Sequence, residues 1–394
     1  MELVQGKVDC RPEETGYDSS RLDVLNRHFE KLMEKEVIEG AAYAISHKGK
    51  IIANTGIGSK SKVSNEIMLP DTVFRIASIT KTFTAVAIMQ LVEDGYFRLD
   101  TTVGEILPAF SKPPFDKITM LHMLTHTSGL YPDGGCFPDV APPDGWEFLY
   151  HALQSWDGKG DFDWVQWAIM GGLRAPVGSE WMYSTLAFVI LGEVITRVSG
   201  QFAHQYIEEH ILKPLGMADT GFDVTVDMAK RMYVKSQDNK QWLDDIIAGK
   251  QNGKYDDGSF WGKIPGTGGG LYSTTTDLLK FANMMLGFGR LGETRILGRK
   301  AVEKMTSHQL HNIPDRCWGS TEQNRCHGIG FDMKEGPAFT YSKGSYLHEG
   351  AGGCSMDIDP KEQLTAVWFV PWNKVEWSAE ALFNVQNIIW SGLM

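Results

Sequence analysis

The sequence predicts an α/β (α+β) fold: an antiparallel sheet flanked by helices and interrupted by an all-α insertion. Three observations carry this reading. Strand patterns stand near both ends of the chain, and the middle is helical with proline- and glycine-rich connections and many tryptophans. One early helix, beginning at Ser78, is apolar on almost every side, as a helix buried between layers has to be. Residues 1–106 and 265–394 are expected to form the discontinuous α/β domain, with residues 107–264 as the insertion.

The elements follow in order. Arg21 to Val37 reads as an amphipathic helix, with Leu22, Leu25, Phe29, Leu32 and Met33 on one face. Ala41–Ser46 and Lys50–Asn54 read as two strands around a His47-Lys48-Gly49 turn. The apolar helix runs from Ser78 to a stop at Asp94-Gly95. In the insertion, a helix is expected from near Leu186 to Gly200, capped by Ser184 or Thr185. Strand patterns return at Gly344–Leu347, Cys354–Asp357 and Leu364–Val370, and a last helix is expected from Glu376 to Ile389.

Composition narrows the function. Of the 394 residues, 42% are hydrophobic and 22% charged, ordinary values for a soluble globular protein. The net charge of −11 argues against nucleic acid or an anionic membrane as partner. The N-terminal stretch Met1–Cys10 lacks a signal-peptide core, and no run reaches the ~18 apolar residues of a membrane span, so a cytoplasmic location is expected. Five cysteines at scattered spacings, Cys10, Cys136, Cys317, Cys326 and Cys354, suit free thiols, although Cys317 and Cys326 can pair across a loop. No zinc spacing and no cofactor motif is recognised, so neither metal nor cofactor is expected. Gly266-Thr-Gly-Gly-Gly270 lacks the Gly-Lys-Ser/Thr ending of a phosphate loop. His122 and His126 are four apart but have no adjacent glutamate or third ligand.

Chemistry concentrates in three places. Ser78 and Lys81 are three residues apart, hence on one helical face, and Lys81 is the only formal charge between Ile76 and Val92. Desolvation there lowers a lysine's pKa, which makes Ser78 a candidate nucleophile. A solvent-reaching lysine beside a helix-capping Ser78 or Thr80 is the plainer alternative. Tyr183 stands in a segment free of charge between Glu180 and Glu193, either as a packed aromatic or as a general base if a cation such as Lys81 comes near. His348-Glu-Gly350-Ala-Gly-Gly353 lies between a strand at Ser345–Leu347 and another at Cys354–Asp359, and its glycines permit close backbone approach.

Together with Leu124-Thr-His-Thr-Ser-Gly-Leu130, Lys213-Pro-Leu-Gly-Met217 and Gly268-Gly-Gly-Leu-Tyr-Ser-Thr274, these segments resemble the serine β-lactamase and penicillin-binding-protein superfamily. The likeness covers most of the chain. It is strongest to class C β-lactamases and their relatives, the family VIII carboxylesterases and D-aminopeptidases. It implies a β-lactamase-like fold and acyl transfer through a covalent acyl-serine at Ser78. Lys81 would hold the proton network and keep Tyr183 partly deprotonated, Tyr183 would act as base, and the backbone N–H groups of Ser78 and Ala351 would bind the oxyanion.

Two positions depart from the β-lactamase pattern. Thr185 stands where that family has asparagine, and His348, neutral or cationic near pH 7, stands where it has lysine. Both weaken recognition of an anionic, peptide-like substrate. Lys343-Gly344-Ser345 offers a rival lysine-led motif, but the Gly-Ala-Gly-Gly after His348 and Gly350 fits the layout better. Trp146, Trp156, Trp164, Trp167 and Trp181 are expected as core and lid packing or as an acyl pocket, and Trp372 as a residue facing the site. The leading expectation is a carboxylesterase, with transesterase ability, acting on small esters with an apolar acyl group. The alternatives are an amide-directed member (D-aminopeptidase, amidase or weak β-lactamase) and a non-catalytic binding protein.

Overall fold

The computed structural model of the protein describes residues 2–137, 145–156, 163–257, 259–334, 336–371 and 379–394. In chain order its principal elements are β1 (Leu3–Gln5), α1 (Ser20–Glu34), β2 (Gly40–His47), β3 (Lys50–Gly58), α2 (Thr80–Glu93) and α3 (Thr185–Ser199). They continue with α4 (Thr275–Leu286), β4 (Tyr346–Gly350), β5 (Cys354–Asp359), β6 (Leu364–Phe369) and α5 (Ala379–Trp390). The six strands form one antiparallel sheet in the order β1-β3-β2-β6-β5-β4.

The hairpin closes as the sequence predicts. Lys48 and Gly49 have φ of 51° and 74°, the two-residue turn whose twist matches that of the strands it joins. Strand β6, from the other end of the chain, pairs with β2, setting Leu364 opposite His47 and Phe369 opposite Ala42. One face of the sheet presents Tyr43, Ile45 and Trp368 to Leu25, Phe29 and Leu32 of α1 and to Leu382, Val385 and Ile389 of α5. The other presents Ala42, Ala44, Val367 and Phe369 to a core that includes α2 and α4. With both faces covered, β2 is buried along its whole length, which is why its residues before His47 are small or apolar rather than alternating.

Differences from the sequence reading have local causes. Helix α1 ends at Glu34, short of Val37, because Glu36 takes φ 56° and Val37 N–H returns to the Leu32 carbonyl at 2.9 Å. That reversal sends Ile38 into the core. Ser78 precedes α2 in a short 3₁₀ turn, Ala77–Ile79. His348, Glu349 and Gly350 lie on β4 itself rather than after it, paired with Met356, Ser355 and Cys354, and the glycine turn at Gly352-Gly353 follows them. The expected first turn of the last helix, from Glu376, falls outside the described residues.

Helix α2 has neither glycine nor proline, and Thr80 through Met89 are buried without a break. It packs against α3 and, through a Phe83–Phe281 stack at 4.0 Å, against α4. Among the described residues of 107–264 the regular elements are helices, and their apolar side chains join the core beneath the sheet. No single described helix is long and apolar enough to cross a membrane.

Phe281→Ala is therefore expected to destabilise the fold by about 3–5 kcal/mol, read as a lowered urea midpoint, because the void opens where the buried faces of two helices meet. A shift under about 1 kcal/mol would mean that α2 and α4 can close together without the ring.

Candidate active site

The Ser78 turn is positioned from three sides. Phe74–Arg75 pairs with Tyr272–Ser273, and Ile76 N–H donates to the Leu271 carbonyl at 3.0 Å. Ala77 then takes φ +46°, an unusual conformation for alanine that turns the chain sharply before the helix. Gly350 at the end of edge strand β4 presses against this turn, and a Cβ there would meet the Ile76 carbonyl oxygen at 2.3 Å. Glycine is the only residue that lets the strand approach so closely.

Lys81 is wholly buried in the first turn of α2, and its ammonium meets three oxygens. Its Nζ lies 2.7 Å from the Gly268 carbonyl, 2.9 Å from Thr185 Oγ1 and 3.1 Å from Ser78 Oγ. Burial lowers its pKa to about 8, opposed by the charge of Asp133. Gly268 is needed for its carbonyl to reach the amine, since a Cβ there would stand 2.5 Å from Thr185 Cγ2. The segment that resembles a phosphate loop thus supplies a carbonyl acceptor to a lysine.

Tyr183 enters from the turn before α3, where Ser184 is the N-cap and accepts from Ala187 N–H. Its ring stacks on His126 at 4.5 Å and has Lys81 Nζ 4.7 Å from its centroid, and its hydroxyl comes close enough to Ser78 to feel it. The residue is half-buried, yet its dense surroundings and the Asp133 carboxylate push the phenol well above its ordinary value. The direction runs against a phenol that Lys81 keeps partly deprotonated. Of the two groups, burial raises the phenol and lowers the amine of Lys81.

His348 lies across from Tyr183, with ring centroids 6.4 Å apart. Its Nδ1 is 2.7 Å from the Glu349 carbonyl, an acceptor, so Nδ1 carries the proton. Burial first and then the Lys81 charge push it down to about 3, so this position offers a neutral imidazole and no cation. Lys343, the rival motif's lysine, instead lines a separate cavity of about 680 Å³ with Arg325 and Lys334. Ala351 lies in the exposed turn directly after β4. Trp372 lies outside the described residues.

His122 and His126 do not converge. His122 Nδ1 accepts from Thr119 N–H at 3.2 Å and so caps its own helix, while His126 Nδ1 accepts from Ser184 N–H at 3.1 Å beneath Tyr183. Cys317 and Cys326 are both free thiols; Cys317 Sγ instead receives Tyr183 N–H at 3.2 Å. Of the tryptophans, Trp181 and Trp164 are buried and Trp146, Trp156 and Trp167 pack against the core.

Two residues escape the sequence reading. Asp133 accepts Thr185 N–H at 2.6 Å and Thr185 Oγ1–H at 2.5 Å, while its own N–H donates to the Tyr183 carbonyl at 2.9 Å. In Tyr131-Pro-Asp133-Gly-Gly135 an aspartate is what any turn prefers, so its residue type carries no signal. Trp318 is 59% exposed, with its ring 5.5 Å from that of Tyr183, and forms an apolar wall beside the phenol.

The Beta-lactamase family profile matches residues 25–385. The chain belongs to the beta-lactamase family. Family members and structural neighbours include serine hydrolases of esterase and carboxypeptidase type. Among sequence relatives, Protein Rv1367c of Mycobacterium tuberculosis is 28% identical over 374 residues, 89% of this chain and 90% of that protein. Esterase EstB of Burkholderia gladioli is 32% identical over 213 residues, 52% and 51% of the two chains. Among solved structures, EstCE1, a hydrolase with promiscuous acyltransferase activity, superposes with a TM-score of 0.71 at 20% identity, covering 95% of this chain and 99% of its own. At that identity the likeness bears on the fold, and it is the β-lactamase-like fold the sequence predicts.

In this member of the family the depressed histidines have a thermodynamic consequence. His348 and His204 are both lowered by burial to about 3 from an ordinary 6.5. Between those values the unfolded chain binds protons that the folded chain refuses, so stability falls as pH drops through that window, by ~1.4 kcal/mol per unit for each histidine. Urea unfolding at pH 7 and pH 5 should show the loss, and His204→Gln should reduce its slope. An unchanged slope in that variant would show that His204 is not held neutral.

Proposed function

We propose that the protein is a serine carboxylesterase that forms a covalent acyl-serine from small neutral esters with an apolar acyl group and passes the acyl group to water or an alcohol. The observation that carries this reading is Ser78 Oγ lying 3.1 Å from the buried Lys81 Nζ, itself 4.7 Å from the centre of the Tyr183 ring. Among the described residues, the positions His348, Thr185 and Lys81 present no free cation, which supports a neutral ester. His348 is neutral, the Thr185 hydroxyl is committed to Asp133, and the Lys81 ammonium is already met by three oxygens. The Trp318 ring supports an apolar acyl group. EstB, an esterase by name, adds support from its matched half.

In the proposed cycle Ser78 Oγ attacks the ester carbonyl as its proton passes to the neutral amine of Lys81. The carbonyl oxygen takes the charge beside the N–H groups of Ser78 and Ala351. The ester C–O bond breaks, and Tyr183 gives its proton to the departing alkoxide. This leaves a phenolate beside an ammonium, each stabilising the other. Water or an alcohol then attacks the acyl-serine and loses its proton to the Tyr183 phenolate, while Ser78 Oγ leaves and recovers its proton from Lys81. Thr185, His348 and Gly350 line the substrate side, and Trp372 is retained as a proposed lining residue. The family pattern supports the Ala351 assignment, as does the contact of Gly350 with Ile76.

Intact-protein mass spectrometry with an activated ester tests this reading. A transient acyl adduct is expected on the wild type and none on Ser78→Ala, whose hydrolysis should fall by at least ~10⁴-fold because the catalytic groups act as a unit. Near-normal hydrolysis by Ser78→Ala would sink the assignment. A matching amide cleaved faster than the ester, or a persistent β-lactam adduct, would favour the amide-directed reading, and no adduct from any reagent would favour a binding protein. Trp318→Ala should lower kcat/KM for bulky apolar acyl esters by about tenfold relative to acetyl esters. Equal loss on both would place the ring outside the acyl pocket.

A further inference from the structure

We propose that Asp133 is a positioning residue of the acyl-transfer machinery: its carboxylate fixes the direction of the Thr185 hydroxyl and thereby aims the Lys81 amine at Ser78. The proposal rests on the serine-hydrolase reading above. It follows from counting donors and acceptors. A carboxylate carries no proton, so Thr185 must donate its hydroxyl hydrogen to Asp133 across 2.5 Å. Thr185 Oγ1 can then only accept from Lys81, as the Gly268 carbonyl also does. Two N–H bonds of the amine are committed, and the remaining direction is the one toward Ser78. When Lys81 is an ammonium that direction holds a third N–H; when it is neutral, it holds the lone pair that accepts the Ser78 proton. Without Asp133 the threonine hydroxyl is free to rotate and donate to that lone pair, taking it away from the nucleophile.

The charges around the amine agree with this role. Tyr183, His126 and His348 face Lys81 from their three elements, with His327 and Asp332 behind the histidines. Asp133 is the carboxylate that opposes the effect of burial on Lys81. Removing its charge lowers the lysine further, so the neutral, reactive amine persists to lower pH. The competing role is structural. Asp133 also accepts Thr185 N–H at the start of α3 and is held by the Tyr183 carbonyl, as a helix cap would be.

Asp133→Asn separates the two roles, because asparagine still accepts Thr185 N–H but offers its NH₂ group to the hydroxyl. The variant is expected to keep its thermal midpoint and KM, lose about 10–100-fold in kcat, and shift the acid limb of kcat/KM to lower pH. Thr185→Val, which leaves the Asp133 charge, should lose a similar factor in kcat without that shift. Thr185→Ser, which keeps the hydroxyl, should stay within about threefold of wild type, and Asp133→Asn with Thr185→Val should be no worse than the poorer single variant. Wild-type kcat and pH profile in Asp133→Asn would reduce Asp133 to a cap. If Asp133→Asn does not fold, full activity in Thr185→Val overturns the proposal by itself. Ester hydrolysis that survives Ser78→Ala would defeat the serine-hydrolase reading instead, a separate result.

Discussion

A lysine with no exposure to water sets the terms for the rest of the site. Taking an ammonium out of water costs several kcal/mol unless its hydrogen bonds are replaced, and Lys81 replaces all three. Each acceptor has required something of the fold. The Gly268 carbonyl reaches the amine because the chain there has no side chain to strike Thr185. Thr185 is available because α3 begins at that residue, behind the Ser184 cap. Ser78 faces the amine because Ala77 accepts a left-handed conformation and β4 braces the turn with a glycine. The surrounding core keeps the amine dry, and that dryness brings its pKa toward neutrality.

Much of this could be read from the residues. The unbroken apolar stretch after Lys81 announces a helix buried on every side, and the Lys48-Gly49 pair announces its hairpin. Spacing alone put Ser78 and Lys81 on one helical face, because three residues is a property of the helix rather than of the fold. What the sequence hid is long-range. No periodicity brings Tyr131-Pro-Asp133 under the start of α3, and a turn aspartate looks the same whether it serves its own backbone or a distant threonine. Trp318 escaped for the same reason: it lies on an irregular loop and meets Tyr183 only in three dimensions. His348 lies across from Tyr183, but its charge depends on a burial that sequence cannot measure.

The electrostatic character of the site follows from the two departures from the β-lactamase pattern and from Asp133 together. A lysine at position 348 would offer a mobile cation, and an asparagine at 185 an amide free to donate. This chain has a neutral ring, a hydroxyl whose proton is already committed, and a carboxylate close behind it. The polarity of the network runs one way, from the amine through the threonine to the aspartate.

The order of strands in the sheet has a consequence in time. Strand β6 lies between β2 and β5, so the sheet joins segments separated by most of the chain. As the protein is synthesised, Ser78, Lys81, Asp133 and Tyr183 all emerge before the strands that complete the sheet. Until β4, β5 and β6 arrive, the Ser78 turn lacks the close approach of Gly350, and the first hairpin displays an unpaired edge. A chain still attached to the ribosome therefore carries its chemical groups without the brace that aligns them. On the proposed reading, Ser78 would be aligned only after these later strands have been made, so that a reactive serine would not form before them.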